Sequence, residues 1–170
     1  MSEKNSLSRL FEVVAESYPS IEFKGFTFKV RKITQSMNAL AAVYTIEDAK
    51  AILKDLPEQV KNEPIEDNDL KQWIEFSTRG NVEVIEIFGL NKVQTKGDLE
   101  VCKIAIKTLA SYVYAMCLLN EDGTTFGRDE VTKLADLIQT QPEFFNMIDA
   151  KIAEINGQVS PNDQPPQVKP

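Results

Sequence analysis

The side chains that most often carry out catalysis or bind metals are scarce in this chain. The sequence contains no histidine and only two cysteines, Cys102 and Cys117. A Ser-His-Asp triad, a Cys-His dyad and a histidine-ligated metal are therefore excluded, and two thiols are too few for a Cys₄ zinc site. The cysteines lie 15 residues apart in one predicted helix, which separates them by roughly 22 Å. Because a disulfide needs Cα atoms within about 7 Å, we expect two unpaired, buried thiols and a reducing compartment.

Carboxylates are the remaining candidates for acid–base chemistry. Glu63, Glu66, Asp67 and Asp69 lie close together in the sequence, and a hydrolase could use two such groups. They fall in a segment poor in apolar residues, 58–69, which is predicted to be an acidic loop. A solvated loop neither desolvates nor positions a carboxylate, so we favour a solvated role for them.

The only metal-like pattern is a partial calcium loop. Asn120, Asp122 and Gly123 match its third, fifth and sixth positions. Leu118 would stand first and has no side-chain oxygen, and Asp129 would stand twelfth in place of glutamate. We therefore predict a plain turn between helices. The sequence predicts no catalytic residue, no metal and no cofactor, and hence a non-enzymatic protein, with a small acidic enzyme as the less favoured alternative.

The charge balance restricts the class of partner. The chain has 26 acidic and 19 basic residues, a formal net charge of −7 and a pI of about 4.8. Negative charge is the wrong sign for binding a phosphate backbone, so no nucleic acid partner is expected. Residues 1–8 lack the apolar core of a signal peptide. The longest apolar stretch, Leu109–Leu119, is shorter than the roughly 20 residues that span a bilayer, so we expect a soluble cytosolic protein without a membrane partner.

The N-terminal part of the chain is predicted to form a helix and then a β-hairpin. Apolar residues at helical spacing indicate the helix, and they are Leu7, Leu10, Phe11 and Val14. The helix is predicted to end at Pro19. Apolar residues alternate over 21–33, and Gly25 supplies the turn of the hairpin. The outward face of the hairpin carries four basic residues, Lys24, Lys29, Arg31 and Lys32. This face is either a patch for an acidic partner or a solvated strand face.

The period is helical from Thr34 onward. Thr34 or Ser36 is expected to cap a helix through Tyr44, and Thr45 to cap a second helix that stops at Pro57. A further helix contains Trp73 and ends at Gly80. Residues 82–88 fit a strand or a helix, and we favour a helix because the neighbouring elements are helical.

The C-terminal half is predicted to contain three more helices. Asp98 caps the longest one, Leu99 to about Leu119, and Asp129 caps the next. Pro142 and Gly157 bracket the last helix. Residues 158–170 contain half of the eight prolines of the chain and almost no apolar residues, which predicts a disordered tail or linker.

These elements predict a mainly α (α+β) fold. We expect a single, mainly helical domain over residues 1–157 with a short N-terminal β-hairpin, followed by the tail over 158–170. The predicted core consists of apolar residues from the hairpin and from most of the helices: Phe28, Val30, Leu40, Ile52, Trp73, Ile104, Leu109, Val113, Leu134, Ile148 and Ile152.

The last helix carries the candidate partner-binding residues, which are Phe144, Phe145, Met147 and Ile148. Adjacent residues lie about 100° apart around a helix. One of the two phenylalanines could therefore face the core while the other faces a partner, together with the start of the tail. Core packing of both phenylalanines is the alternative that the pattern leaves open.

Three segments carry a resemblance to a known family. The hairpin ends in Phe-Lys-Val-Arg-Lys-Ile-Thr (28–34) and leads into a helix. An apolar helix ends in Met-Cys-Leu-Leu-Asn-Glu-Asp-Gly-Thr-Thr-Phe (116–126), and the last helix lies in Gln-Pro-Glu-Phe-Phe-Asn-Met-Ile-Asp-Ala-Lys-Ile-Ala-Glu-Ile-Asn-Gly (141–157). In this order the chain resembles the tail assembly chaperones of long-tailed bacteriophages over about 23–157, with no counterpart to the family pattern over 61–97.

The resemblance implies a function without chemistry. Chaperones of this family bind the long helical tape-measure protein, recruit tail tube subunits and are absent from the finished virion. The resemblance therefore implies the tape-measure protein and the tail tube protein as partners, self-association as an option, and the host cell cytoplasm as the location. A structural component of the phage tail or of the head–tail connector is the alternative.

Overall fold

The computed structural model of the protein describes residues 17–78 and 86–157. Four predictions lie outside these ranges in whole or in part: the N-terminal helix, the cap at Gly80, the first four residues of the helix favoured over 82–88, and the disordered tail over 158–170. The described residues belong to two compact units. Unit 1 contains 17–34 and 113–157, and unit 2 contains 35–78 and 86–112. The single domain expected over 1–157 stays a prediction.

The fold is mainly helical with a short three-stranded antiparallel sheet, which confirms the predicted fold class. The strands, in the order β1-β2-β3, are β1 (Ser20–Phe23), β2 (Phe26–Val30) and β3 (Leu118–Leu119). The helices are α1 (Gln35–Ile52), α2 (Glu58–Lys61), α3 (Asp67–Thr78), α4 (Lys96–Cys117), α5 (Arg128–Thr140) and α6 (Pro142–Ile155), with a 3₁₀ turn at Leu90–Lys92.

The predicted hairpin forms in unit 1. Phe23 pairs with Phe26 at the end of the hairpin. The two residues between them both have left-handed backbone angles, with φ of 50° at Lys24 and 83° at Gly25. A two-residue turn of this hand matches the twist of an antiparallel pair. The local signal at Gly25 was therefore sufficient to place the turn.

The longest helix ends two residues before its predicted limit. Leu118 and Leu119 form β3, which pairs with β2 instead of continuing α4. The reason lies in a distant part of the chain, because Arg31 donates its backbone N–H to the Cys117 carbonyl (2.9 Å). The Arg31 guanidinium also donates two hydrogen bonds to the Met116 carbonyl, at 3.0 and 3.2 Å. These bonds satisfy carbonyls at the helix end that otherwise need a cap.

Helices α5 and α6 complete unit 1. Helix α6 packs against both strands of the hairpin and against α5. The Glu130 carboxylate accepts the backbone N–H of Gly127 before α5 (2.8 Å), so Asp129 is not the cap that we predicted. Pro142 is the first residue of α6, and Gly157 follows the helix with φ of 69°. The predicted limits of the last helix are therefore confirmed.

Helix α1 of unit 2 is continuous where two helices were predicted. Thr45 is buried in its middle and donates its hydroxyl to the Ala42 carbonyl (3.0 Å), so it does not cap a second helix. Leu40 and Ile52, which we placed in the core, are 45% and 66% exposed. The buried face of α1 consists of Met37 and smaller residues such as Ala42 and Ala49, and Leu40 and Ile52 lie off this face.

The other predicted core residues lie inside or at the border of their units. Val30, Val113, Ile148 and Ile152 are buried, and the rest are half-buried: Phe28, Trp73, Ile104, Leu109 and Leu134. The core of unit 2 also contains residues that were not predicted to belong to it, namely Phe88, Leu90, Val93 and Leu99.

The segment predicted as an acidic loop is partly helical. It contains α2 and the first turn of α3, and the residues between them pair with the chain that precedes α4. Lys96 donates its backbone N–H to the Glu63 carbonyl (2.8 Å), and Ile65 donates its N–H to the Gln94 carbonyl (3.2 Å). The loop prediction is wrong here because its backbone hydrogen bonds go to a distant segment instead of water.

The start of α4 is capped three residues before the predicted position. The Thr95 hydroxyl accepts the backbone N–H of Asp98 (3.2 Å), so Asp98 lies in the first turn and not at the cap. Gly97 lies in the same turn. A Cβ at Gly97 would come within 2.8 Å of the Lys61 carbonyl oxygen and 2.9 Å of its Cα. Glycine is therefore required for α2 to approach α4 this closely.

Replacing Gly97 by alanine is expected to destabilise unit 2. The new methyl group would meet the Lys61 backbone, which cannot move as a flexible side chain can. We expect the free energy of unfolding to fall by about 1–3 kcal/mol, although alanine contributes roughly 1 kcal/mol of helix propensity. Urea denaturation followed by far-ultraviolet circular dichroism measures the change.

Gly127→Ala is the matched control for that substitution. Its Cβ would meet only the Glu130 Oε2 atom at 3.5 Å, an ordinary contact distance. We expect the free energy of unfolding to change by less than about 0.5 kcal/mol, because the entropy lost by the unfolded chain offsets the weaker cap. An unchanged transition for Gly97→Ala would contradict the close approach of α2 and α4.

Candidate partner-binding site

The four predicted partner-binding residues lie in the first half of α6, and the structure gives them different environments. Phe144 and Ile148 are 0% exposed, and both belong to the core of unit 1. Phe145 and Met147 are half-buried. The four residues therefore do not form one surface. A role in partner binding stays a prediction, and as the unit is folded only Phe145 and Met147 can meet a partner directly.

An aromatic cluster explains why Phe144 faces inward. Its ring stacks on Phe23 with the centroids 4.4 Å apart, and it lies 5.5 Å from the ring of Phe28. Phe28 also contacts Phe126, at 6.2 Å. Aromatic pairs at these distances add to the free energy of burial. The cluster thus connects three parts of unit 1, which are the hairpin, the segment that precedes α5, and helix α6.

Phe145 lies against a tyrosine that is itself held by a carboxylate. The rings of Phe145 and Tyr114 are 4.8 Å apart. The Tyr114 hydroxyl donates a hydrogen bond of 2.6 Å to the Asp149 carboxylate. Burial raises the pKa of Tyr114, and the hydrogen bond to Asp149 raises it further. Tyr114 therefore stays a neutral hydrogen-bond donor and gives Phe145 a fixed wall on one side.

The sequence analysis missed the most exposed aromatic side chain among the described residues. Phe26 is 68% exposed and directly follows the hairpin turn. Burial rises along the same face of β2, through half-buried Phe28 to fully buried Val30. The signal was the position of Phe26 beside the turn, where an alternating pattern does not ensure that the core reaches the end of the strand.

Arg31 and Lys24 of the predicted basic patch contact other elements of unit 1. The Arg31 guanidinium is bonded to the Met116 carbonyl. The Lys24 ammonium donates to the Gln141 side-chain oxygen (3.2 Å) and lies 5.2 Å from the centre of the Phe23 ring. These contacts connect the hairpin to α4 and to the start of α6. The alternatives of an acidic partner and a solvated face stay open for the patch.

The segment that resembles a calcium loop is a hydrogen-bonded turn. The Asp122 carboxylate accepts the backbone N–H and the hydroxyl of Thr124, at 2.9 and 2.7 Å, and these bonds lower its pKa. Gly123 donates its N–H to the Asn120 carbonyl (2.8 Å). Across 17–78 and 86–157, no group of three metal-ligating side chains is brought together. No helix in those ranges is long and apolar enough to cross a membrane.

Both thiols are buried and lack the environment of a nucleophile. Burial raises the pKa of Cys102 to about 11, with a further contribution from the charge of Asp98. Burial also raises the pKa of Cys117 to about 12, although Arg31 acts in the opposite direction. A reactive thiol requires a lowered pKa and exposure. These two side chains are accordingly small core residues, as the sequence analysis expected.

Similarity to known proteins adds no assignment to these features. Comparisons of the chain with protein families, with curated proteins and with solved structures found no match. What the protein does must therefore be inferred from its own residues and their contacts.

Phe144→Ala is expected to destabilise the protein far more than Phe145→Ala. Removing a fully buried ring that contacts two other rings should lower the free energy of unfolding by about 3–5 kcal/mol. Removing the half-buried ring of Phe145 should lower the free energy of unfolding by roughly 1–2 kcal/mol. Urea denaturation of the two variants measures the difference. Equal losses would contradict the interior position of Phe144.

The native protein is expected to resist thiol reagents at neutral and mildly alkaline pH. Because the folded-state pKa values lie above the unfolded value of about 8.5, the neutral thiols stabilise the fold below that value. This stability is lost as the pH rises through about 11 and 12. Ellman's reagent should label both cysteines promptly in urea and only slowly in buffer. Prompt labelling of the native protein would contradict the burial.

Proposed function

We propose that this protein is a tail assembly chaperone of a long-tailed bacteriophage. In this role it is a non-enzymatic adaptor that binds the tape-measure protein and recruits tail tube subunits before the tube polymerises. It acts in the cytoplasm of the host cell and is absent from the mature virion.

One observation carries the proposal. The three segments on which the family resemblance depends, 28–34, 116–126 and 141–157, come together in unit 1. Strand β2 of the first segment pairs with β3 of the second. Phe28 contacts Phe126 of the second segment and Phe144 of the third. Segments this far apart in the chain thus belong to one packed structure, which supports a likeness of fold as well as of sequence order.

The surface of unit 1 supplies side chains suited to an apolar partner. Phe26 is largely exposed at the hairpin turn, and Phe145 and Met147 are accessible in part on α6. A tape-measure chain presents apolar helix faces before assembly, and large adaptable side chains are suited to cover them. The net charge of −7 favours dispersion of such a carrier.

Co-expression with the tape-measure protein tests the proposal. The test partner is the largest helical protein encoded just downstream of this gene. We expect that protein to become soluble and to co-purify with the chaperone, because its apolar helix faces would be covered. Solubility and affinity purification from the co-expressing cells are the measurements.

Variants of exposed residues make this test specific. Phe26→Ser and Phe145→Ser should reduce co-purification, whereas Ile52→Ser removes an exposed apolar side chain from unit 2 and serves as the matched control. If the tape-measure protein stays insoluble while this protein is found in purified particles, the structural-component alternative replaces the proposal. If neither result is obtained, both phage roles are rejected.

A further inference from the structure

Unit 2 contains an open groove with an apolar floor. Its cavity volume is about 650 Å³. The floor is lined by Leu56, Val60, Ile65, Trp73 and Leu99. Ile65 and Trp73 also pack against the core of unit 2, so the floor is continuous with that core. Val60 is 42% exposed although it is apolar. The groove therefore presents an apolar surface that packs against the core of unit 2.

The walls of the groove are already formed in the free protein. The segment between α2 and α3 forms a β-bridge, Pro64 to Thr95, with the chain that precedes α4. A backbone hydrogen bond from Lys96 to the Glu63 carbonyl lies beside it. The close approach at Gly97 fixes the end of α2 on the same turn of α4. A preformed site saves the entropy that ordering a loop would cost on binding.

The rim of the groove carries three carboxylates and two lysines, an excess of one negative charge: Glu63, Glu66, Glu100, Lys96 and Lys103. On the rim itself, Lys96 pairs with Glu63, and Lys103 pairs with Glu100 at 2.7 Å. Glu66 also lines the groove, and no cation among the described residues pairs with it. An incoming cation can therefore gain an ion pair at Glu66 without displacing one.

We infer that this groove is a docking site for a short amphipathic helix of a partner protein, in which lysine or arginine residues flank the apolar anchors. The apolar floor matches anchors at helical spacing. The carboxylate of Glu66, which has no cation beside it on the rim, matches a flanking cation, and the cavity has the size of a site for a few side chains. This inference does not depend on the proposed function, because it concerns residues of unit 2 alone.

The chain contains a built-in reporter for this groove. Trp73 is the single tryptophan of the sequence and lies in the floor. The probe is a tryptophan-free peptide of about 14 residues, a length at which a helix can form. It carries leucines at helical spacing and lysines elsewhere. We expect a saturable shift of Trp73 emission to shorter wavelength, weaker at high salt. The same peptide with glutamates in place of lysines should bind at least about tenfold more weakly.

Paired variants of the full chain locate the binding. Glu66→Lys should weaken binding of the lysine peptide by about threefold to tenfold. Glu121→Lys changes the net charge equally at an exposed turn of unit 1 and should leave the affinity unchanged. Val60→Ser should weaken binding by about threefold or more. Ile52→Ser, which removes an exposed apolar residue that does not line the groove, should not.

Three results would overturn the inference. The first is an unshifted Trp73 emission with both peptides while circular dichroism shows a folded protein. The second is equal binding of the lysine and glutamate peptides. The third is equal weakening by Glu66→Lys and Glu121→Lys, which would show attraction to the overall charge. The titration uses no phage protein. A failed co-expression test would therefore not change the interpretation of these three results.

Discussion

Strand β2 is hydrogen-bonded on both of its edges, and the rest of unit 1 depends on this constraint. It pairs with β1 on one side and with β3 on the other. Because β3 follows α4 directly, the pairing ends that helix at Cys117, where Arg31 occupies the last carbonyls. The rings on the same hairpin then position α6 through Phe144. A short strand thus determines where α4 ends and where α6 packs.

Elements with local signals agreed with the sequence analysis. The hairpin turn requires left-handed backbone angles at adjacent positions, which Gly25 indicates by itself. The last helix begins at a proline and is followed by a glycine, and both signals act within one turn. The cap assignments at Asp98 and Asp129 were wrong by a few residues, whereas two larger errors arose where the decisive partner is distant in sequence. The end of α4 depends on Arg31, and the pairing of the acidic segment with the chain before α4 has no local signature.

The candidate site shows the same division between local and distant causes. Helical periodicity locates Phe144 and Phe145 on adjacent faces but cannot say which face meets the hairpin. The stacking of Phe144 on Phe23 decides the matter. In unit 2 the composition of 58–69 revealed its acidity, whereas the apolar floor beneath it depends on how α2 and α3 meet α4. Leu40 and Ile52 were misplaced because the buried face of α1 consists of Met37, three alanines and Thr45.

Unit 1 is assembled from two stretches of chain with all of unit 2 between them. Val30 finds its partner at Leu118, which leaves the ribosome about 90 residues later. At usual rates of translation that interval is on the order of 5–20 s. During synthesis the segment 35–112 is therefore complete while the hairpin still lacks β3 and α6. The hairpin is thus synthesised before unit 2 and completed after it, and its strands spend the interval without β3 and α6.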